Sequence, residues 1–170
     1  MERRQLLLFL LILGTAFWGV SYSVTKMAIG HYSLNIFLFY RFLLAVMVLS
    51  IIFWKYVKNM NLEAIKTGFV LAVPMFLGIQ LQTVALTYTT ASQCSFIAGL
   101  TVIIIPILKL ALYKTNTPLK IWIAALTALT GLFVIAIQDK FTVNVGDLFT
   151  IAGAFGFAVY LIAVEKHSAT

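Results

Sequence analysis

Residues 6–29 read LLLFLLILGTAFWGVSYSVTKMAI, and Lys26, close to the far end, carries the only charge. As a helix this run would measure about 36 Å at 1.5 Å per residue, enough to cross a hydrocarbon layer of about 30 Å. Apolar residues occur on every side of it, so such a helix has no broad face to offer water. The leading Met1-Glu2-Arg3-Arg4 and the run Leu6–Leu13 resemble the charged and apolar parts of a signal peptide, with Gly14-Thr15-Ala16 in the place of a cleavage site. The apolar run nevertheless continues through Trp18 and Val20 to Ile29. A retained first membrane helix is therefore the expectation.

Working outward, five further apolar stretches follow at Leu34–Trp54, Ile65–Tyr88, Ser92–Tyr113, Leu119–Ile137 and Asp147–Val164. Short breaks separate them, at Gly30-His31-Tyr32-Ser33, Lys55 to Ala64, Thr89-Thr90-Ala91, Lys114 to Pro118, and Gln138 to Gly146. An open strand cannot span a bilayer, because its backbone groups would go unpaired. A barrel needs alternating segments of about ten residues, and these runs are longer and apolar all round. The expected fold is all-α integral membrane, with about six transmembrane helices.

Composition agrees. Of the 170 residues, 62% are hydrophobic and 10% charged, against about a quarter charged in an ordinary soluble domain. Mean hydropathy is +1.05. A soluble enzyme, a disordered tail and a secreted disulfide scaffold are excluded, and the single cysteine, Cys94, has no internal partner. The net charge of +7 is spread over helix ends, without a basic cluster interleaved with aromatics, so no nucleic-acid partner is expected.

The basic residues carry topology instead. Arg3, Arg4, Lys55, Lys58, Lys66, Lys114 and Lys120 fall on one side of the membrane and only Lys140 on the other. Seven against one places the N-terminus in the cytoplasm of a plasma or inner membrane, and with six helices Lys166 also lies inside.

Lys26, Arg41 and Lys109 remain within the spans. Lys26 and Lys109 lie near helix ends, where their stems can snorkel to the interface. Arg41 is about 10 Å into the second helix, and its guanidinium cannot deprotonate. The acidic residues are Glu2, Glu63, Asp139, Asp147 and Glu165, none deep in a span. Arg41 then either bonds backbone carbonyls or Gln side chains, or faces a wet cavity and attracts the anionic end of a substrate. With no buried carboxylate relay, facilitated movement or exchange stands beside proton coupling as an expectation.

Trp18, Tyr22 and Thr25 recur at helical spacing on the first helix, Tyr40 adjoins Arg41, Gln80 and Gln82 lie in the third, and Thr101 shares a face of the fourth with Lys109. Buried Gln amides need partners, commonly on another helix. Aromatic faces with a few polar groups also describe a pocket for small organic molecules. Trp18, Tyr22, Tyr40, Arg41, Gln80, Gln82 and Thr101 are the substrate-path candidates. Pro74 and Pro106 each remove a backbone hydrogen bond, while Gly14 with Ala16, Gly68 with Ala72, Ala124 with Ala128, and Gly153 allow close helix packing. Paired membrane Asp residues, a His-Glu-x-x-His motif and a deep His are all missing, so no catalytic residue, metal ligand or cofactor is expected. The first helix also carries no Glu of the kind a four-helix multidrug protein uses to bind a cation.

Phe17-Trp18-Gly19-Val20-Ser21 through Lys26, then Phe39-Tyr40-Arg41-Phe42, resembles the opening of an EamA-type permease of the drug/metabolite transporter superfamily. Gln82-Thr83-Val84-Ala85-Leu86, Tyr88-Thr89-Thr90-Ala91-Ser92, Pro106, and Pro118 through Gly131-Leu132 continue the pattern in order. The resemblance covers residues 6–137 as one five-helix repeat. It implies a ten-helix fold of two inverted repeats around a central cavity, with alternating access. Residues 147–170 look like the start of a second, incomplete repeat, and Gly153 to Phe157 echoes Gly14 to Trp18 at the same spacing. Half of an inverted-repeat transporter fold is thus in view. The implied function is secondary transport of small organic solutes such as metabolites, amino acids or drugs.

Two departures accompany the resemblance. The sequence given stops at Thr170, about four helices short of the pattern, which fits a fragment, a truncated gene, or half of an assembly completed by a second copy or a separate half-transporter chain. Where the family often has a Glu after the fourth helix, this chain reads Lys114-Thr115-Asn116-Thr117-Pro118. A truncated, non-transporting membrane remnant or interaction scaffold is the alternative function.

Overall fold

Asn61 shows how the local sequence starts a helix here. Its side chain accepts a hydrogen bond from the Ala64 amide at 2.8 Å, satisfying one of the amides that any helix start leaves unpaired. The computed structural model describes residues 3–114, 117–137 and 142–168. In chain order the helices are α1 (Arg3–Ile29), α2 (Leu34–Ile52), α3 (Trp54–Lys58), α4 (Leu62–Tyr88), α5 (Ala91–Gly99), α6 (Thr101–Tyr113), α7 (Leu119–Ile137) and α8 (Val145–Ser168), with no strand among the described residues. Glu2, Asp139, Lys140 and the middle of the expected 114–118 turn lie outside them.

Five helical stretches are long and apolar enough to cross a membrane, α5 and α6 together making one, and α7 is a sixth apolar helix of 19 residues. Their outer surfaces are inverted relative to a water-soluble domain. Ile12 is 66% exposed and Phe17 69%, which is favourable only where the solvent is lipid. The chain is an all-helical integral membrane protein.

Helix boundaries differ from the expected ones for local reasons. The Asn61 cap starts α4 three residues before Ile65. The second helix ends at Ile52, and Trp54 opens the single-turn α3. The expected fourth helix is two, α5 and α6, meeting at Leu100, whose amide bonds Ile97 O at 3.0 Å in a tightened turn. That break follows Gly99, a weak helix former backed against Leu132 of α7, and lies well before Pro106. At the start of α8, Asp147 Oδ2 accepts from the Asn144 amide at 2.9 Å, and Asn144 Oδ1 accepts from the Gly146 amide at 2.8 Å. These two bonds lock the entry to the last helix.

The core lies where α8 runs along α4. Gly146, Thr150, Gly153, Phe157 and Ile162 recur at helical spacing on the buried face of α8. A Cβ added to Gly153 would sit 2.9 Å from Gln82 Cγ and 3.0 Å from Gly78 O, and one on Gly156 would sit 3.1 Å from Pro74 O. The two backbones approach this closely because the seam is made of glycine. Gly14 and Gly68, expected in the same role, have nothing within 4 Å among the described residues, so no helix backbone is packed closely on them there.

Candidate functional site

Three helices bring polar side chains to one level. α1 ends, α2 begins and α4 ends at the same face of the bundle. Tyr22 lies seven residues before Ile29, Arg41 seven after Leu34, and Gln82 six before Tyr88. All three are therefore about 9–11 Å from that face. The Tyr22 hydroxyl donates to Gln82 Oε1 at 2.6 Å, the interhelical partner expected for a buried Gln amide.

These residues, with Trp18, Ser21, Thr25 and Thr83, line a small cavity of about 20 Å³. Arg41 is half-buried and makes no hydrogen bond or ion pair among the described residues. Neither a backbone carbonyl nor a Gln amide accepts from Arg41 among the described residues, and its side chain is one of those lining this cavity. The other two cations within the spans are employed differently. Lys26 donates to Leu86 O and, at 2.9 Å, to Thr89 O, capping the carboxyl end of α4, where the helix dipole favours a positive charge. Lys109 donates to both carboxylate oxygens of Glu165 on α8, at 2.6 and 2.8 Å. Tertiary partners hold both lysines that were expected to snorkel.

A second cavity, of about 300 Å³, shares Trp18, Tyr22 and Gln82 with the first and extends to Thr101, Phe157 and Tyr160. The Trp18 ring meets Phe157 edge-on, with centroids 5.3 Å apart at 75°, the orientation that aligns ring edge with ring face. Trp18, Tyr22 and Gln82 thus stand between the small chamber that Arg41 lines and a larger, mainly apolar one.

The remaining sequence candidates stand elsewhere. Gln80 lines an open apolar groove of about 570 Å³ between α2 and α4, with Phe39, Phe42 and Phe76 among its other walls. Tyr40 is 63% exposed and packs edge-on against Phe39. Sequence reasoning passed over Ser21, Thr83 and Phe157. It also passed over Asp147, which is buried and accepts from Gln93 Nε2 at 2.7 Å. The capping pattern Asn144-x-x-Asp147 signals the start of α8, but burial of Asp147 follows only from α5 lying across it.

The EamA-like transporter family matches residues 5–137. An uncharacterized transporter of Archaeoglobus fulgidus is 28% identical over 151 residues, covering 89% of this chain and 46% of the relative. The chain therefore spans about half the length of that relative. No solved structure matches it significantly.

Proposed function

Because the chain belongs to the EamA-like transporter family, we propose that it carries a small organic solute across the plasma or inner membrane by alternating access. The path passes Trp18, Tyr22, Arg41, Gln82 and Thr101, narrowed from the sequence candidates by leaving Tyr40 and Gln80 to other surfaces. The observation that carries this reading is the chamber around Arg41, a permanent charge within a lipid-facing bundle, where the hydroxyls of Ser21, Tyr22, Thr25 and Thr83 and the Gln82 amide share the lining with Trp18, Ile79 and Leu86. Holding such a charge in low dielectric is expensive, and intramembrane cations of this kind mark substrate pathways.

Residues 6–137 form the first repeat in this reading, and 147–170 begin a second, inverted one. The Trp18–Phe157 ring contact supports it. These residues occupy equivalent places in the two echoing segments, and equivalent residues touch only near the axis that relates the repeats. Substrate sites of inverted-repeat transporters lie near that axis. The missing wall would come from further helices, a second copy or a separate half-transporter chain.

Uptake and counterflow of a panel of metabolites, amino acids and drugs into vesicles containing the purified chain test the proposal. Saturable movement abolished by Arg41→Ala, with membrane expression retained, is the expected result. No movement of any solute would favour a non-transporting scaffold instead. Orientation is tested by single cysteines at Asn59 and Tyr32 in a Cys94→Ala background. Asn59→Cys should react with impermeant maleimide only from the cytoplasmic side, and Tyr32→Cys only from the other.

A further inference from the structure

We propose that the divided cavity is a site for an amphipathic monocarboxylate, whose anionic head is received by Arg41 and Tyr22 and whose apolar body lies against Trp18 and Phe157. The inference rests on the transporter reading for its biological purpose, but its chemistry stands on charge accounting within the bundle.

Each described acidic group is committed away from Arg41. Glu165 is paired with Lys109. Asp147 accepts from Gln93 and from the Asn144 amide. Glu63 lies in the first turn of α4, at the opposite end of that helix from Gln82. Lys26, the neighbouring cation, already donates to Leu86 O and Thr89 O. Among the described residues the Arg41 guanidinium, which lines the chamber, therefore has no carboxylate partner, and it calls for a negative charge. A planar guanidinium presents paired N–H donors that match a carboxylate.

The acceptor position beside Arg41 is already marked. Gln82 Oε1, a carbonyl-type oxygen, accepts from the Tyr22 hydroxyl at 2.6 Å. A carboxylate taking over the Tyr22 hydroxyl donor would put its negative charge in the same cavity that Arg41 lines, where the guanidinium can turn to its second oxygen. The chamber of about 20 Å³ has room for little more than a water-sized group. A carboxylate must therefore displace the Gln82 amide to enter, and that displacement opens the partition between the chambers. Beyond the partition, the cavity of about 300 Å³ offers Phe157, Tyr160 and Leu161 to an apolar or aromatic body. Recognition of the head and opening of the path are then one event.

The test is equilibrium binding of radiolabelled 3-phenylpropionate to the purified chain in lipid nanodiscs. Matched 3-phenylpropionamide and 3-phenylpropylamine serve as competitors, and empty nanodiscs correct for partition. The amide should compete at least about 10-fold more weakly than the unlabelled carboxylate, and the amine more weakly still. Arg41→Gln should remove the preference for the carboxylate, and Arg41→Lys should retain it at reduced affinity. Gln82→Glu should abolish binding by supplying an internal carboxylate to Arg41, while Gln82→Leu should tighten it by freeing the Tyr22 hydroxyl. If Arg41→Gln does not reach the membrane, the opposed effects of the two Gln82 variants carry the test. Equal competition by amide or amine, undiminished binding in Arg41→Gln or Gln82→Glu, or no binding of the carboxylate would each overturn the proposal. The transporter reading fails separately. Counterflow of neutral solutes with no carboxylate binding would leave it intact, whereas carboxylate binding without movement of any solute would remove it and keep the site.

Discussion

Tyr22 on α1 and Gln82 on α4 are joined by a hydrogen bond of 2.6 Å at the level of Arg41, 60 residues apart in the chain. Gln82 is also the side chain against which Gly153 of α8 is packed. One amide thus links the partition between the two chambers to the glycine seam that holds α8 in place.

That link has a measurable energy. Tyr22→Phe and Gln82→Leu should each destabilise the bundle by about 1 kcal/mol, because each leaves a partner without its hydrogen bond. The double variant should lose less than the sum, since no unpaired group remains. Reversible unfolding in mixed detergent micelles measures all four corners of the cycle. Strict additivity would mean that the two side chains do not interact in the membrane.

The glycine seam makes a sharper contrast. Gly153→Ala places a Cβ within 3.0 Å of Gln82 Cγ and the Gly78 carbonyl, so α8 must shift, at about 1–3 kcal/mol. Gly14→Ala meets nothing within 4 Å and should be neutral or slightly stabilising, since alanine favours the helix. Thermal unfolding of both variants in the same detergent checks the difference. Equal melting temperatures would mean that the backbones are not in contact.

Cys94 reports on the end of the bundle where α4 stops and α5 begins. It is fully buried, packed with Ala85 and Leu86, close to the carbonyls that Lys26 caps. A membrane-permeant maleimide should leave native protein unlabelled and react fully after denaturation. Lys26→Met removes the cap from the end of α4 and should raise the labelling rate several-fold by making local opening easier. Rapid labelling of the native protein would contradict the packing of α5 against α4.

The Lys109–Glu165 pair ties α6 to α8 at the other end. It has two short hydrogen bonds but is partly exposed, with Glu165 the more open side. Its contribution should be about 1 kcal/mol or less and should shrink as salt is raised. Exchanging the two residues, Lys109→Glu with Glu165→Lys, should recover most of what either change loses alone. Unfolding curves at low and high ionic strength measure both effects.

Much of the architecture could be read before any coordinates. Six apolar stretches separated by polar breaks are enough for a multi-pass helical protein, because lipid requires every spanning segment to satisfy its own backbone. Membership of the family was legible in the order of short motifs from Phe17 to Leu132. Within the candidate site the sequence singled out Arg41 as a charge inside a span, and among the described residues it has no carboxylate partner. It could not separate Gln82 from Gln80. These two lie two residues apart on α4, and a helix turns them about 200° from one another. Only the docking of α1 on one side decides which of them meets Tyr22.

The sequence by itself determined that the chain crosses the membrane repeatedly and that Arg41 lies within a span, since hydrophobic length and charge position are local properties. Tertiary structure alone decided that Lys26 and Lys109 have hydrogen-bond partners while Arg41 has none among the described residues. It also decided that Gly153 packs where Gly14 does not, and that Trp18 meets Phe157. Helices in lipid are nearly equivalent on all sides, so their partners are selected by close backbone approach and by distant hydrogen bonds. Neither of these leaves a periodic trace along one strand of sequence.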